Sequence, residues 1–185
     1  MNTAVFLDLN GTLVLPVKQE SLSELRIIPG ADLAIARLIE EKLICPVITI
    51  QSGIEKGRFT EQEFRNWFSG FFKNLKLDLK GPYVCPHTFA EDCICKKPHT
   101  FLYQQAARDY SIDLSKSYVV GDTCLDVIAG KNIGGHGCLV RSTSTTDDSA
   151  YKDAGQNASF IGQTLSHVVN WILTKERSEN SLANP

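Results

Sequence analysis

Residues 3–12 read Thr-Ala-Val-Phe-Leu-Asp-Leu-Asn-Gly-Thr. The run up to Leu7 is short, apolar and partly β-branched, and Asp8 closes it just before the turn pair Asn10-Gly11. A short apolar run ended by turn residues is the pattern of a strand buried on both faces. The pattern returns twice. Residues 44–50, Ile-Cys-Pro-Val-Ile-Thr-Ile, form a second run with Thr49 near its end, although Pro46 removes one ladder hydrogen bond. Residues 117–121, Ser-Tyr-Val-Val-Gly, form a third, closed by Asp122.

Helical signals lie between these runs. Pro29-Gly30 opens an apolar-periodic helix over 31–42. Thr60-x-x-Glu63 is a capping box. Behind it Phe64, Trp67, Phe68, Phe71, Phe72 and Leu75 recur at spacings of three and four, an amphipathic helix whose aromatic stripe is read as core packing. A short strand over 82–85, helices over 99–110 and 124–132, a strand over 137–141 and a helix over 162–174 complete the order. Strands alternating with helices predict an α/β fold, a Rossmann-like parallel sheet with helices on both faces. The polar stretch 142–157 reads as loop. One domain is expected over 1–175, with 176–185 a disordered tail.

The chain has 185 residues, 43% hydrophobic and 22% charged, with a formal net charge of -2. That balance offers no electrostatic case for nucleic acid or for an acidic membrane surface. No stretch reaches the roughly 20 apolar residues needed to span a bilayer, and the N-terminus lacks a basic segment before its short apolar run. A cytoplasmic monomer acting on a small phosphorylated metabolite is the expectation.

In an open α/β sheet, ligands bind beyond the carboxyl ends of the strands. A carboxylate there, such as Asp8, can attack a phosphoryl group and hold it covalently. An aspartate repels a phosphate dianion, so a cation is required, and magnesium favours one or two carboxylates with phosphate oxygens and water. Gly121-Asp122-x-x-x-Asp126 supplies paired carboxylates on one side of a first helical turn. Thr49 offers a hydroxyl, Ser52-Gly53 backbone amides, and Lys97 a cation for phosphoryl charge.

Acid, threonine, lysine and paired acids, in that order, resemble the four signature motifs of the haloacid dehalogenase superfamily over residues 5–141. The resemblance implies Asp8 as nucleophile, Thr49 as the hydroxyl, Lys97 as the phosphate cation, and a magnesium site of Asp8, Asp122, Asp126 and the backbone carbonyl of Asn10. The run Thr49-Ile50-Gln51-Ser52-Gly53-Ile54, with Gly57 and Phe59-Thr60, is similar to T-N-Q-S-G-I-x-x-G-x-F-T of D-glycero-D-manno-heptose 1,7-bisphosphate phosphatases. So is Cys93-x-Cys95-Lys96-Lys97-Pro98-His99. Gln51, Ser52 and Lys96 are then expected to contact substrate, Lys96 meeting a second anionic group. The histidinol-phosphate phosphatase branch shares the cysteine-rich loop, and its shorter form is closer to the present spacing. Only 10–29 and 53–98 are available as insertions, so no large cap domain is expected.

Cys85-x-His87 and Cys93-x-Cys95 form a Cys₃His set, the ligand complement of a structural zinc site with no position left open for water. Cys45 and Cys138 read as buried small hydrophobes, and His136 and His167 as non-ligands.

Asn10 departs from the superfamily pattern, which has a second aspartate there as general acid and base. An amide cannot exchange a proton in that way. Three readings follow: a slow magnesium-dependent phosphatase, a replacement acid elsewhere, or a phospholigand-binding protein.

Overall fold

The apolar run after Thr3 forms β1 (Val5–Leu7), and all three of its residues are fully buried. The computed structural model describes residues 1–16, 20–88, 93–141 and 155–183. After β1 come β2 (Val14–Leu15), β3 (Arg26–Ile27), α1 (Ala31–Glu40), β4 (Pro46–Ile50), α2 (Glu61–Asn74) and β5 (Lys80–Cys85). Then follow α3 (Phe101–Tyr110), β6 (Tyr118–Gly121), α4 (Cys124–Asn132), β7 (His136–Val140), β8 (Phe160–Gly162) and α5 (Leu165–Ala183). Six strands make one sheet in the order β5-β4-β1-β6-β7-β8. Every adjacent pair in it is parallel.

Period-2 alternation divides the sheet's side chains between two cores. Val5, Leu7, Val47, Val120 and Cys138 point into one, with Ala34, Ile35 and Leu38 of α1, Phe64, Phe68 and Phe72 of α2 and Val168, Val169 and Ile172 of α5. Ala4, Phe6, Ile48 and Val119 point into the other, with Leu102, Tyr103 and Ala106 of α3 and Ala129 of α4. Helices thus cover both faces, as the alternating order predicts. Each fully buried Val, Leu, Ile or Phe among them contributes about 1.5–3 kcal/mol. The aromatic stripe of α2 packs inward as expected. Its capping box is present: the Thr60 amide donates to Glu63 Oε2 at 2.7 Å, and the Glu63 amide donates to Thr60 Oγ1 at 3.2 Å. Among the described residues, no helix is long and apolar enough to cross a membrane.

Several boundaries differ from expectation. Pro46 opens β4 rather than sitting within it, and the ladder to β5 is irregular between Pro46 and Ile48. The 10–29 insertion carries the small antiparallel pair β2-β3, and β8 adds an edge strand; both are too short to show a period. α5 runs on past Lys175 to Ala183, into the stretch expected as a tail. Its polar end shows no apolar period, but tertiary contacts hold it. Tyr118 donates to Glu176 Oε1 at 2.6 Å, and Arg177 donates to Glu41 Oε1 at 2.5 Å. Most of the expected 142–157 loop lies outside the described residues.

Candidate active site

The chain runs from β1 outward to β4 and β5, then returns to the far side of β1 as β6. That reversal opens a crevice at the carboxyl ends of the central strands. Asp8 follows β1, Thr49 lies at the end of β4, and Asp122 follows β6. Asp126 projects from the first turn of α4, and Lys97 from the segment between Cys95 and α3. A cavity of about 520 Å³ is lined by all five, together with Asn10, Gln51 and Ser52.

Lys97 is the hub. Its ammonium donates to Asp8 Oδ1 and to Asp126 Oδ1, both at 2.6 Å, and its side chain is only 4% exposed. Burial pushes this ammonium toward deprotonation, but the charges of Asp126 and Asp8 outweigh it and hold the group protonated. Asp8 is pushed up to about 6, first by burial; Lys97 opposes that rise, and repulsion from Asp126 adds to it. Asp122 is pushed up to about 8 by burial and by repulsion from Asp8 and Asp126, with Lys97 opposing. Three carboxylates against one ammonium leave the site short of positive charge. Hard oxygen donors in that excess fit a magnesium ion.

Local backbone chemistry explains why the acids sit so closely. Gly11 has φ +89°, a left-handed conformation that favours glycine, and a Cβ there would come within 2.1 Å of Asp122 Oδ2. A Cβ on Gly121 would meet Asp126 Cγ at 2.0 Å. Asp126 Oδ2 accepts from the Thr123 hydroxyl at 2.6 Å, which orients Oδ1 toward Lys97. Beside Asp8, Gln51 Nε2 donates to Asn10 Oδ1 at 2.7 Å and to Thr49 Oγ1 at 2.9 Å.

Cys85, His87, Cys93 and Cys95 form a second constellation. One ligand atom from each lies within 4.8 Å of all the others. The Sγ atoms of Cys85 and Cys95 are each 3.6 Å from Cys93 Sγ, and His87 Nδ1 is 3.3 Å from Cys95 Sγ. Zinc–sulfur bonds of about 2.3 Å in a tetrahedron place sulfur atoms roughly 3.8 Å apart, so the set fits that ion. At the acidic site, by contrast, the Lys97 ammonium stands between Asp8 and Asp126 and bonds an oxygen of each. The set is tied to residues that line the cavity. The Cys85 carbonyl accepts from the Gln51 amide at 2.8 Å, and Cys95 precedes Lys97 by two residues.

Lys96 is absent from the cavity lining, unlike its expected place. Lys56 and Arg58 line the cavity instead, with Glu20, Thr123 and Leu125. The Glu55-Lys56-Gly57-Arg58 run, one residue beyond Ser52-Gly53, was a sequence signal for those two cations. Nothing in the sequence marks Glu20.

A family model described as HAD-hydrolase-like matches residues 94–168. A D-glycero-beta-D-manno-heptose-1,7-bisphosphate 7-phosphatase of Haemophilus ducreyi is 34% identical over 142 residues, 71% of this chain and 78% of the relative. The Pasteurella multocida enzyme of the same name is 29% identical over 184 residues, 93% of this chain and 97% of the relative. Among solved structures, D,D-heptose 1,7-bisphosphate phosphatase from B. bronchiseptica, complexed with magnesium and phosphate, superposes with a TM-score of 0.80. It is 25% identical, and the match covers 94% of this chain and 99% of that one. With its acids, lysine and cysteine-rich loop in place, this chain belongs to the haloacid dehalogenase-like hydrolases, in the family of the heptose-1,7-bisphosphate 7-phosphatases, and is a phosphatase.

Proposed function

We propose that the chain is a magnesium-dependent phosphomonoesterase that removes one phosphate from a sugar bisphosphate through an aspartyl-phosphate on Asp8. The observation that carries this is the meeting of Asp8 and Asp126 on one buried ammonium, 2.6 Å from each, at the floor of an open cavity. The relatives' names supply the substrate, a heptose 1,7-bisphosphate.

An Asp8 oxygen attacks phosphorus, and the bond from phosphorus to the sugar oxygen breaks, so the sugar leaves as an alcohol once protonated. Water then attacks the same phosphorus, the bond to Asp8 breaks, and inorganic phosphate departs. Lys97 neutralises phosphoryl charge, the Thr49 hydroxyl and nearby backbone amides orient the phosphoryl oxygens, and Gln51 and Ser52 border the sugar. Asp8, Asp122, Asp126 and the Asn10 carbonyl would hold magnesium, whose charge offsets that of carboxylate and phosphate. Asn10 cannot move the protons, so the water step is the slow one. The test is a phosphate-release screen with magnesium over heptose 1,7-bisphosphate, histidinol phosphate and simple sugar phosphates. Preference for the bisphosphate is expected, and no release from any of them overturns the proposal.

The carboxyl environment adds a pH signature. The usual carboxyl value of 3.8 rises to about 6 at Asp8 and about 8 at Asp122. The folded state therefore binds more protons than the unfolded chain between about pH 4 and 8, and metal-free stability falls as pH rises through that window. Magnesium binds the ionised forms, so its stabilising shift in Tm should grow toward pH 8. A shift of equal size at about pH 5 and pH 8 in thermal melts would count against these carboxylates as its ligands.

Cys85, His87, Cys93 and Cys95 hold zinc in a structural role in this reading. Purified protein should contain about one zinc per chain by elemental analysis. A strong chelator should lower Tm and release three thiols to a colorimetric thiol reagent. Protein with no zinc before chelation would sink the assignment.

A further inference from the structure

Resting on the phosphatase reading, we infer that the substrate phosphate remote from Asp8 is received by Arg58, and that Glu20 competes with it for that guanidinium. Three cations line the cavity: Lys56, Arg58 and Lys97. Lys97 is engaged by two carboxylates at the floor. A second anion must therefore find its partner on the turn after β4, where Lys56 and Arg58 stand. The cavity, about 520 Å³, has the size of a small-metabolite site and leaves room for a second charged group.

The turn is set for this task. Arg58 N donates to the Gly53 carbonyl at 2.9 Å, and Lys56 N donates to the Ser52 carbonyl at 3.2 Å. A Cβ on Gly53 would come within 2.7 Å of the buried Phe59 ring, so the close packing of that ring fixes the path of the chain. Glu55 accepts from the Thr88 amide in the cysteine-rich loop and ties down the other side. The backbone is thus held while the Arg58 side chain reaches outward to Glu20 Oε1 at 2.8 Å.

That contact already sets a carboxylate oxygen against one nitrogen of the guanidinium fork, where a phosphate oxygen would sit. The Glu20 side chain is 74% exposed, and an exposed ion pair of this kind contributes little. A phosphate dianion bonding the same fork bidentately is the stronger partner and displaces it. Glu20 then acts as a competitor that occupies the Arg58 guanidinium until a phosphate displaces it, and so disfavours weakly charged ligands.

The test compares kcat/KM for heptose 1,7-bisphosphate with that for p-nitrophenyl phosphate, which has no second phosphate, in the full chain with magnesium. Arg58→Ala should lower the ratio of the two about tenfold or more, mostly through KM for the bisphosphate. Arg58→Lys should recover only part, because it keeps the charge and loses the fork. Glu20→Gln should raise the ratio about 2- to 5-fold, the worth of an exposed ion pair. An unchanged ratio in Arg58→Ala overturns the inference and leaves the phosphatase reading standing. A fall in Glu20→Gln also overturns it, since Glu20 would then be supporting Arg58 rather than competing for it. Wild-type protein that turns over neither compound would remove the reading beneath, and this inference with it.

Discussion

Asn10→Asp should raise steady-state turnover by about 10- to 10,000-fold, the usual worth of a general acid–base group. The first step needs Asp8, Lys97 and a good leaving group more than it needs an acid. The second needs a base to activate water, and Asn10 offers none. Wild-type protein given an activated aryl phosphate should therefore release one equivalent of phenol in a burst and then turn over slowly. In Asn10→Asp the burst should merge into a faster steady state. The exchange suits its surroundings. Gln51 Nε2 already donates to Oδ1 of this side chain at 2.7 Å and would donate equally to a carboxylate. The amide gives up a long contact, from Nδ2 to the Pro16 carbonyl at 3.4 Å. An unchanged rate, alongside an inactive Asp8→Asn, would assign the proton transfers to another group.

Lys97→Ala should lower turnover about a thousandfold, at the upper end for removing one donor to developing charge. It should also unfold the metal-free protein more readily. The ammonium bonds Asp8 and Asp126 at 2.6 Å each, and all three side chains are at most 12% exposed. Removing one partner of a buried ion pair typically costs about 3–5 kcal/mol. The loss should be greatest near neutral pH and shrink as pH falls. Without Lys97 only the Leu9 amide opposes the burial and the Asp126 repulsion that raise Asp8, so the folded state takes up protons more strongly. Magnesium should restore part of the stability and little of the rate. Equal thermal melts for variant and wild type across pH would mean the lysine is not the charge that holds the floor together.

Much of this was legible along the chain. Asp8, Thr49 and Asp122 each follow an apolar run, and such runs become central parallel strands because only burial on both faces accommodates them. Carboxyl ends of neighbouring parallel strands lie side by side, so residues 8, 49 and 122 had to share an edge. The cysteine and histidine spacing announced its cluster for a similar reason: two short arms with few residues between them have little freedom to separate.

Other features had no local signature. Short strands such as β2, β3 and β8 show no period, and the polar end of α5 shows no apolar stripe. That end is held by Tyr118 and Glu41, 58 and 136 residues away in the chain. Arg58 and Glu20 likewise meet only because the turn after β4 and the insertion after β1 rise over the same strand ends.

The sequence by itself determined the order of elements, the direction of the sheet and the identity of the acids, because hydrophobic period and residue chemistry are properties of short stretches. Only the tertiary structure decided that Lys97 bridges Asp8 and Asp126, that Asn10 leans on Gln51, and that Arg58 rather than Lys96 faces the cavity. Such contacts depend on distances between side chains far apart in the chain. Those distances are set by how helices and turns pack across the sheet, and no local pattern encodes them.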